Sequence, residues 1–223
     1  MWNKGWDKLF QRKPWGKYPC EELVRYISKT FKKKNKTNIK ILELGCGTGA
    51  NIFFLAKEGF STYGIDGSKT ALKLAEKYLI SEKLKAKLSL GDIIKLPYKS
   101  NFFDCVIDIE CLYSNLIEDT KKILIEVHRV LKKNAVFFSK TFATGISGQS
   151  SGIPYAEEKF TFKKIPQSPL YSDYGVIRLT DEKNIKNIYS LFDEINYDYI
   201  IRTQNSRKDF IKEWIIKAKK LKK

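Results

Sequence analysis

Three glycines at alternate positions, with an acid two residues before the first, are the residues of this chain best suited to hold a ligand. The stretch reads ELGCGTG and places Gly45, Gly47 and Gly49 behind Glu43. Glycine weakens strand and helix interiors, so three so close together indicate a tight turn whose backbone approaches a ligand. The spacing also fits the G-x-G-x-x-A form of a dinucleotide-binding turn, which is a weak signal by itself.

Two carboxylates follow at the ends of the next two predicted strands. Asp66 ends STYGID, 21 residues after Gly45, and Asp92 ends KLSLGD. Open α/β sheets bind ligands beyond the carboxyl ends of their strands, where a carboxylate accepts hydrogen bonds from ribose hydroxyls. A single aspartate there is better explained as a turn or cap residue. With the glycine turn and both acids at successive strand ends, we expect an adenosine site, Asp66 on the ribose and Asp92 at the exocyclic amine.

Short apolar runs alternate with helical patterns from residue 38 to residue 142. This order is typical of βαβ units, in which helices cover both faces of a parallel sheet. The predicted strands lie at 38–44, 61–66, 85–92, 102–112 and 135–142, and the predicted helices at 49–59, 69–80 (capped by Ser68) and 117–133.

The flanking segments predict additions to this core within a single domain. Residues 1–37 predict an N-terminal helical cap, with one helix beginning near Pro19. Residues 143–178 are rich in glycine, serine, proline and aromatic residues, which predicts a lid or substrate-binding insertion after the fifth strand. Residues 179–223 predict one helix (about 181–191) and two strands that pair antiparallel at the sheet edge.

Four successive motifs give the core a family resemblance: ELGCGTG, GIDGS, LGDIIKLPYKSNFFDCVI and EVHRVLKKNAVFF. They resemble those of class I S-adenosylmethionine-dependent methyltransferases. The resemblance implies a Rossmann-like three-layer α/β sandwich, with a seven-stranded, mostly parallel sheet and one antiparallel strand near the edge. It also implies S-adenosyl-L-methionine as cofactor and S-adenosyl-L-homocysteine as product. The chain has Lys133-Asn134 where the family usually has Pro-Gly-Gly, so we expect a different turn there.

The resemblance further implies which residues bind the cofactor. They belong to the glycine turn and to the two acidic strand ends: Glu43, Gly45, Cys46, Gly47, Gly49, Asp66, Gly67, Asp92 and Ile93.

The acceptor side is predicted from residues beyond the fourth and fifth strands. Methyl transfer to an alcohol needs a base, and Glu110 in DIECLYSN is the candidate base or acceptor-orienting residue, with Tyr113 beside it. We expect substrate contacts from Tyr18, Lys140 and Arg178; a planar guanidinium suits a phosphate or carboxylate. For each of these residues a structural role, in an ion pair, in packing or at the surface, stays open. Trp15 and Tyr18 are predicted to fold over the cofactor.

The predicted activity is methyl transfer to an oxygen or nitrogen of a small, anionic metabolite, phosphorylated or linked to a nucleotide or sugar. An RNA or protein methyltransferase is the alternative, although the fourth strand does not end in the N-P-P-[FY] motif of amide or adenine methylation. A nicotinamide-dependent oxidoreductase is a third reading of the glycine turn.

Composition predicts the partners and the cellular location of this protein. The net charge is +17, but most of the basic residues are lysines spread along the chain, so we do not expect a nucleic-acid partner. The sequence has no apolar run long enough for a bilayer and no secretory signal, so we expect no membrane association. The four cysteines are scattered and there is a single histidine, so we expect no metal site and a reduced, cytoplasmic protein. We expect the protein to be a monomer or a homodimer.

Overall fold

A computed structural model describes residues 3–12, 16–170 and 175–221 of the chain. Its strands are β1 (Lys40–Leu44), β2 (Ser61–Asp66), β3 (Lys87–Leu90), β4 (Phe103–Ile109), β5 (Leu131–Phe142), β6 (Ile153–Pro154), β7 (Thr161–Lys164), β8 (Ile177–Arg178), β9 (Glu194–Gln204) and β10 (Asp209–Lys219). Its helices are α1 (Gly5–Arg12), α2 (Glu21–Thr30), α3 (Ala50–Lys57), α4 (Lys69–Ser81), α5 (Ile117–Val130) and α6 (Glu182–Ile188).

Seven strands form one sheet in the order β3-β2-β1-β4-β5-β10-β9. The pairs among the first five strands are parallel, whereas β10 runs antiparallel to both β5 and β9. This confirms the predicted seven-stranded, mostly parallel sheet with one reversed strand near its edge. The carboxyl ends of β1 to β5 therefore meet at one edge, together with that of β9.

The hydrophobic core lies on both faces of the sheet because neighbouring strand residues point to opposite sides. Ile41 packs against α2 and α3, whereas the next residue, Leu42, packs in the cluster formed with α5 and α6. Ser68 accepts a hydrogen bond from Ala71 N and so caps α4 as predicted, leaving α4 to begin next to the end of β2.

The fifth strand begins earlier than predicted and absorbs the unusual Lys133-Asn134 segment. Its register with β4 shifts between Phe103 and Cys105, and Asn134 adopts a φ of 61°. Asparagine tolerates the left-handed region, so this segment forms a bulge within β5.

The predicted lid segment, 143–178, contains a small antiparallel sheet in the order β6-β7-β8. Its apolar side chains Ile146, Ile165 and Ile177 form one cluster with Phe142 and Tyr113. The segment thus packs beside the carboxyl edge of the main sheet. Of the helices among the described residues, none is long and apolar enough to cross a membrane.

Candidate active site

A cavity of about 430 Å³ opens at the carboxyl edge of the sheet. The cavity wall includes every predicted cofactor residue: Glu43, Gly45, Cys46, Gly47, Gly49, Asp66, Gly67, Asp92 and Ile93. Of the predicted acceptor-side residues, Glu110, Tyr113, Tyr18 and Lys140 also line it. The fold thus brings these residues together at one site, and their individual roles in binding and catalysis stay predictions.

The glycine turn is tight, as predicted, and its neighbours leave little room for side chains. All three glycines adopt left-handed φ values, of 58°, 51° and 88° at Gly45, Gly47 and Gly49. A Cβ at Gly45 would collide with the Cys111 sulfur, and one at Gly49 would lie 2.9 Å from Ala75 Cβ. Two of the three glycines are therefore required by backbone conformation and by packing against neighbouring elements.

Asp66 ties the glycine turn to the end of β2. One carboxylate oxygen accepts a hydrogen bond from Gly47 N (2.8 Å) and the other from Ser68 N (2.7 Å). Burial raises the pKa of Asp66, and these backbone donors oppose the shift. Each oxygen has a second lone pair, so the carboxylate can still accept ligand hydrogen bonds.

Glu43 and Asn51 belong to the cavity wall, and each has an unsatisfied polar atom. Asn51 Nδ2 donates to Glu43 Oε1 at 2.6 Å, whereas Glu43 Oε2 and Asn51 Oδ1 have no partner. Burial raises the pKa of Glu43 to about 8, so the group carries a proton at neutral pH in this structure. Buried polar groups are normally paired, so these two atoms are exceptions, and neither is exposed to the cavity. With Glu43, Asp66 and Asp92 in its wall, this end of the cavity fits an adenosine joined to a cationic amino-acid group, as S-adenosylmethionine has.

The other end of the cavity carries a row of charged side chains. Glu110 follows β4 with a φ of 55°, and its Oε1 accepts a hydrogen bond from Lys140 Nζ at 2.8 Å. Lys140 Nζ also lies 2.9 Å from Glu213 Oε1. Although burial opposes it, Glu110 and Glu213 hold the pKa of Lys140 above its usual value. The predicted substrate contact of Lys140 therefore involves an ammonium that two carboxylates already neutralise.

Of the two tyrosines predicted at the acceptor side, Tyr113 is buried and Tyr18 is exposed. Tyr113 is buried and contacts Phe142 edge-on, with ring centroids 4.8 Å apart. Burial raises the pKa of its phenol, so Tyr113 stays protonated and is not a base at neutral pH. Tyr18 is 87% exposed at the cavity mouth, where an acceptor can reach it.

Arg178 is the predicted substrate residue that the structure places elsewhere. Its guanidinium is buried outside the cavity wall and donates to Asn115 O (2.6 Å) and to Thr120 Oγ1. Arg178 therefore braces the loop that follows β4, and its position does not support a substrate contact.

The N-terminal segment, and not the predicted lid, supplies the remaining wall of the cavity. Trp6 and Phe10 of α1 line it, whereas no described residue of 143–178 does. Asp7 attaches α1 to the start of α4, because its carboxylate accepts hydrogen bonds from Ser68 Oγ (2.5 Å) and Thr70 N (3.1 Å). Trp15, which was predicted to cover the cofactor, lies outside the described residues.

Sequence reasoning missed three polar residues at or beside the site: Asn51, Arg202 and Glu213. Arg202 lines the cavity, and its Nε donates to Glu213 Oε2 at 2.9 Å. These two residues lie diagonally across the β9–β10 pair, since Arg202 faces Ile211 and Glu213 faces Ile200. Opposite charges on two strands predicted to pair were the available signal.

Comparisons with known proteins agree with the fold and the site. The sequence profile of a family described as "Methyltransferase domain" matches residues 35–205. The chain belongs to this family, and its fold is that of the class I S-adenosylmethionine-dependent methyltransferases. S-adenosylmethionine is the cofactor of that class, which leaves the nicotinamide alternative without support.

Two of the curated relatives are named as an N-methyltransferase and an O-methyltransferase. The norajmaline N-methyltransferase of Rauvolfia serpentina is 30% identical over 65% of this chain and 50% of its own length. The ubiquinone biosynthesis O-methyltransferase of Pelagibacter ubique is 28% identical over 63% of this chain and 58% of its own length. The chain thus spans about half the length of the curated relatives it matches.

Solved structures share the fold. An S-adenosylmethionine-dependent methyltransferase from Methanosarcina mazei aligns with a TM-score of 0.72 at 23% identity, over 92% of this chain and all of its own. Phosphoethanolamine N-methyltransferase 2 of Haemonchus contortus aligns with a TM-score of 0.67 at 17% identity, over 97% of this chain and 56% of its own.

Proposed function

We propose that this chain transfers the methyl group of S-adenosylmethionine to an oxygen or nitrogen atom of a small molecule that carries an anionic group. The observation that carries the proposal is the shared cavity. Its wall joins the glycine turn and the strand-end acids to Glu110 and Arg202. One relative is named as an N-methyltransferase and another as an O-methyltransferase, which supports either acceptor atom.

Residues at one end of the cavity bind the cofactor, and residues at the other end bind the acceptor. When bound, the cofactor supplies a methyl group on a positively charged sulfur. Glu43, Asp66 and Asp92 hold the adenosine and the amino-acid group, and Trp6 and Phe10 shield them from water. Glu110, 31% exposed in its side chain, orients the acceptor and takes up its proton. Holding both reactants in a closed site supplies most of the rate enhancement.

Arg202 is the residue assigned to the anionic group of the acceptor. Within the described cavity wall the basic residues are Lys140 and Arg202. Lys140 is neutralised by two glutamates, whereas Arg202 uses Nε for Glu213 and its side chain remains 58% exposed. A guanidinium fork with free donors suits a phosphate or carboxylate.

The size of the cavity favours a small acceptor over a macromolecule. Small-molecule sites span roughly 300–1,000 Å³. At about 430 Å³, this cavity lies in that range, which supports a small acceptor.

The test is an unbiased acceptor screen with the purified full chain. Methyl-labelled S-adenosylmethionine is incubated with fractionated small-molecule pools, bulk RNA and total protein, and the products are identified by mass spectrometry. Label in an anionic small molecule, lost in Asp66→Asn, supports the proposal. Label confined to RNA or protein overturns the acceptor class, and absence of S-adenosylhomocysteine binding by calorimetry overturns the activity.

A further inference from the structure

Four charged side chains form a continuous row across four neighbouring strands at the acceptor end of the cavity. We call Glu110, Lys140, Glu213 and Arg202 the ion-pair row. Lys140 Nζ lies 2.8 Å from Glu110 Oε1 and 2.9 Å from Glu213 Oε1, and Arg202 Nε lies 2.9 Å from Glu213 Oε2. The row follows the sheet order, from the end of β4 through β5 and β10 to β9.

We propose that Glu213 and Arg202 are positioning residues that make Glu110 the proton-accepting member of this row. Glu213 shares the charge of Lys140 and so keeps Glu110 basic, while Arg202 keeps Glu213 ionised. The inference rests on the proposed function, in which Glu110 takes the acceptor's proton. In that step the acceptor O–H or N–H bond breaks, its electron pair stays on the acceptor atom, and the proton moves to a Glu110 carboxylate oxygen.

The charges around Lys140 are unbalanced. One buried ammonium faces two carboxylates, and two neighbouring carboxylates resist being ionised together, so one of them takes up a proton first. When two acidic groups share a site, their different surroundings decide which one exchanges the proton.

The surroundings of the two glutamates are unequal in this row. Glu213 is fully buried (0% exposed) and has cations at both oxygens, Lys140 at one and Arg202 at the other. Glu110 has Lys140 alone, and its partly exposed side chain lines the cavity. Glu110 is therefore the member that an acceptor can reach and that lacks a second cation.

The directions of the pKa shifts agree with this geometry. Burial raises the pKa of Glu110 against the charge of Lys140, and the neighbouring Glu213 raises it further. Although burial opposes it, the neighbouring Glu110, the charge of Lys140 and the hydrogen bond from Arg202 hold the pKa of Glu213 below its usual range.

Other titratable groups near the row do not supply a competing charge at Glu110. Burial raises the pKa of Cys20 to about 11 and raises that of Tyr113, so both are neutral at pH 7. Glu22 of α2 adds a negative charge that acts on Cys20 and Arg202.

The test follows the two carboxyl groups directly, without acceptor or cofactor. The full chain is labelled with carbon-13 at the glutamate side-chain carboxyl carbons, Glu110 and Glu213 are assigned by substitution, and both signals are followed by NMR against pH. In the wild type we expect the Glu110 signal to titrate at higher pH than the Glu213 signal.

The variants are expected to change this order in specific ways. Glu213→Gln leaves Lys140 to Glu110 alone and lowers the Glu110 midpoint by at least about one pH unit. Arg202→Gln makes the Glu213 signal titrate in the same range as Glu110, and Arg202→Lys restores the separation. Because Arg202 is 58% exposed, its variants test the proposal even where Glu213→Gln fails to fold.

Several outcomes would overturn the inference: Glu213 titrating above Glu110 in the wild type, an unchanged Glu110 midpoint in folded Glu213→Gln, or an unchanged Glu213 signal in Arg202→Gln. Since no methyl transfer is measured, failure here is distinct from failure of the proposed function. The acceptor screen and calorimetry test the latter.

Discussion

At the scale of single residues, carboxylates in unlike surroundings divide the site between them. Asp66 accepts two backbone hydrogen bonds and holds the glycine turn against the end of β2. Glu43 is buried behind it and protonated, whereas Glu110 is paired with a lysine at the other end. Side chains of one chemical type thus have different partners and different pKa values, according to what surrounds them.

Replacing Asp66 with Asn should weaken S-adenosylhomocysteine binding at least about tenfold, or ~1.4 kcal/mol. The amide loses the charge that strengthens hydrogen bonds to ligand hydroxyls, and its nitrogen cannot accept from Gly47 N or Ser68 N. Calorimetry measures the affinity. Asp104→Asn is the matched control, because Asp104 accepts from Lys40 N at the opposite edge of the sheet. Equal affinities in the two variants would remove Asp66 from the cofactor site.

Glu43 should make the free protein less stable as the pH rises through about 8. Burial raises its pKa in the folded state above the unfolded value, so its contribution is full below the unfolded pKa and is lost as pH passes the folded one. From pH 6 to 9, the free energy of unfolding should fall by roughly 2–3 kcal/mol more in the wild type than in Glu43→Gln. Urea denaturation at both pH values measures this, and parallel losses would contradict it.

At the scale of secondary-structure elements, α1 lines the cavity, whereas no described residue of the insertion does. Helix α1 contributes Trp6 and Phe10 to the cavity wall and is held by Asp7 at the start of α4. A carboxylate at a helix N-terminus is favourable because it pairs with free backbone donors and with the helix dipole. The insertion instead braces the loop after β4 through Arg178.

The Asp7→Ala variant should loosen α1 and weaken cofactor binding by about fivefold, as expected for loss of about 1 kcal/mol of hydrogen bonding. Amide hydrogen exchange should accelerate across residues 5–12, and calorimetry with S-adenosylhomocysteine should report the affinity. Lys8→Ala serves as the control, since Lys8 is exposed on the same helix. Unchanged exchange in the Asp7 variant would mean that this contact does not hold α1 in place.

The Arg178→Met variant should lower the free energy of unfolding by about 1–3 kcal/mol, because Asn115 O and Thr120 Oγ1 lose a buried donor. Since Arg178 lies outside the cavity wall, S-adenosylhomocysteine affinity should change little in the folded variant. Chemical denaturation and calorimetry separate the two effects. A variant that is as stable as the wild type but methylates the acceptor more slowly would instead indicate that Arg178 contacts the substrate.

At the scale of the whole molecule, the high positive charge and the charge of the cavity are opposed. The chain carries +17 overall, yet the cofactor end of its cavity presents Asp66 and Asp92. The surplus lysines are distributed along the chain. We therefore expect the positive charge to lie mainly on the surface and not to mark a nucleic-acid site.

Mixed-sequence RNA should not bind at about 150 mM salt, because dispersed lysines release too few counterions together to support tight binding. A fluorescence titration across salt concentrations measures this, with polylysine of matched charge as the positive control. Binding that persists at this ionic strength and falls steeply with added salt would favour the RNA methyltransferase alternative.

Local pattern determined the elements of this fold. The short run STYGID places β2 at Ser61–Asp66, with the bounds expected from sequence. The alternation in EINYDYIIRTQ indicates the strand observed as β9 (Glu194–Gln204). The glycine turn and the two acids were likewise predicted to meet, because parallel strand ends always share one edge. Periodicity and the succession of strands and helices along the chain are properties of short segments, so the sequence shows them directly.

Only the tertiary structure decided which distant side chains touch. Arg178 is buried because the insertion folds against residues 115 and 120, and Glu213 meets Lys140 because β10 inserts between β5 and β9. Gly45 has no room for a Cβ because Cys111, far along the chain, packs against it. Such contacts depend on sheet order, register and loop path, which no local pattern encodes.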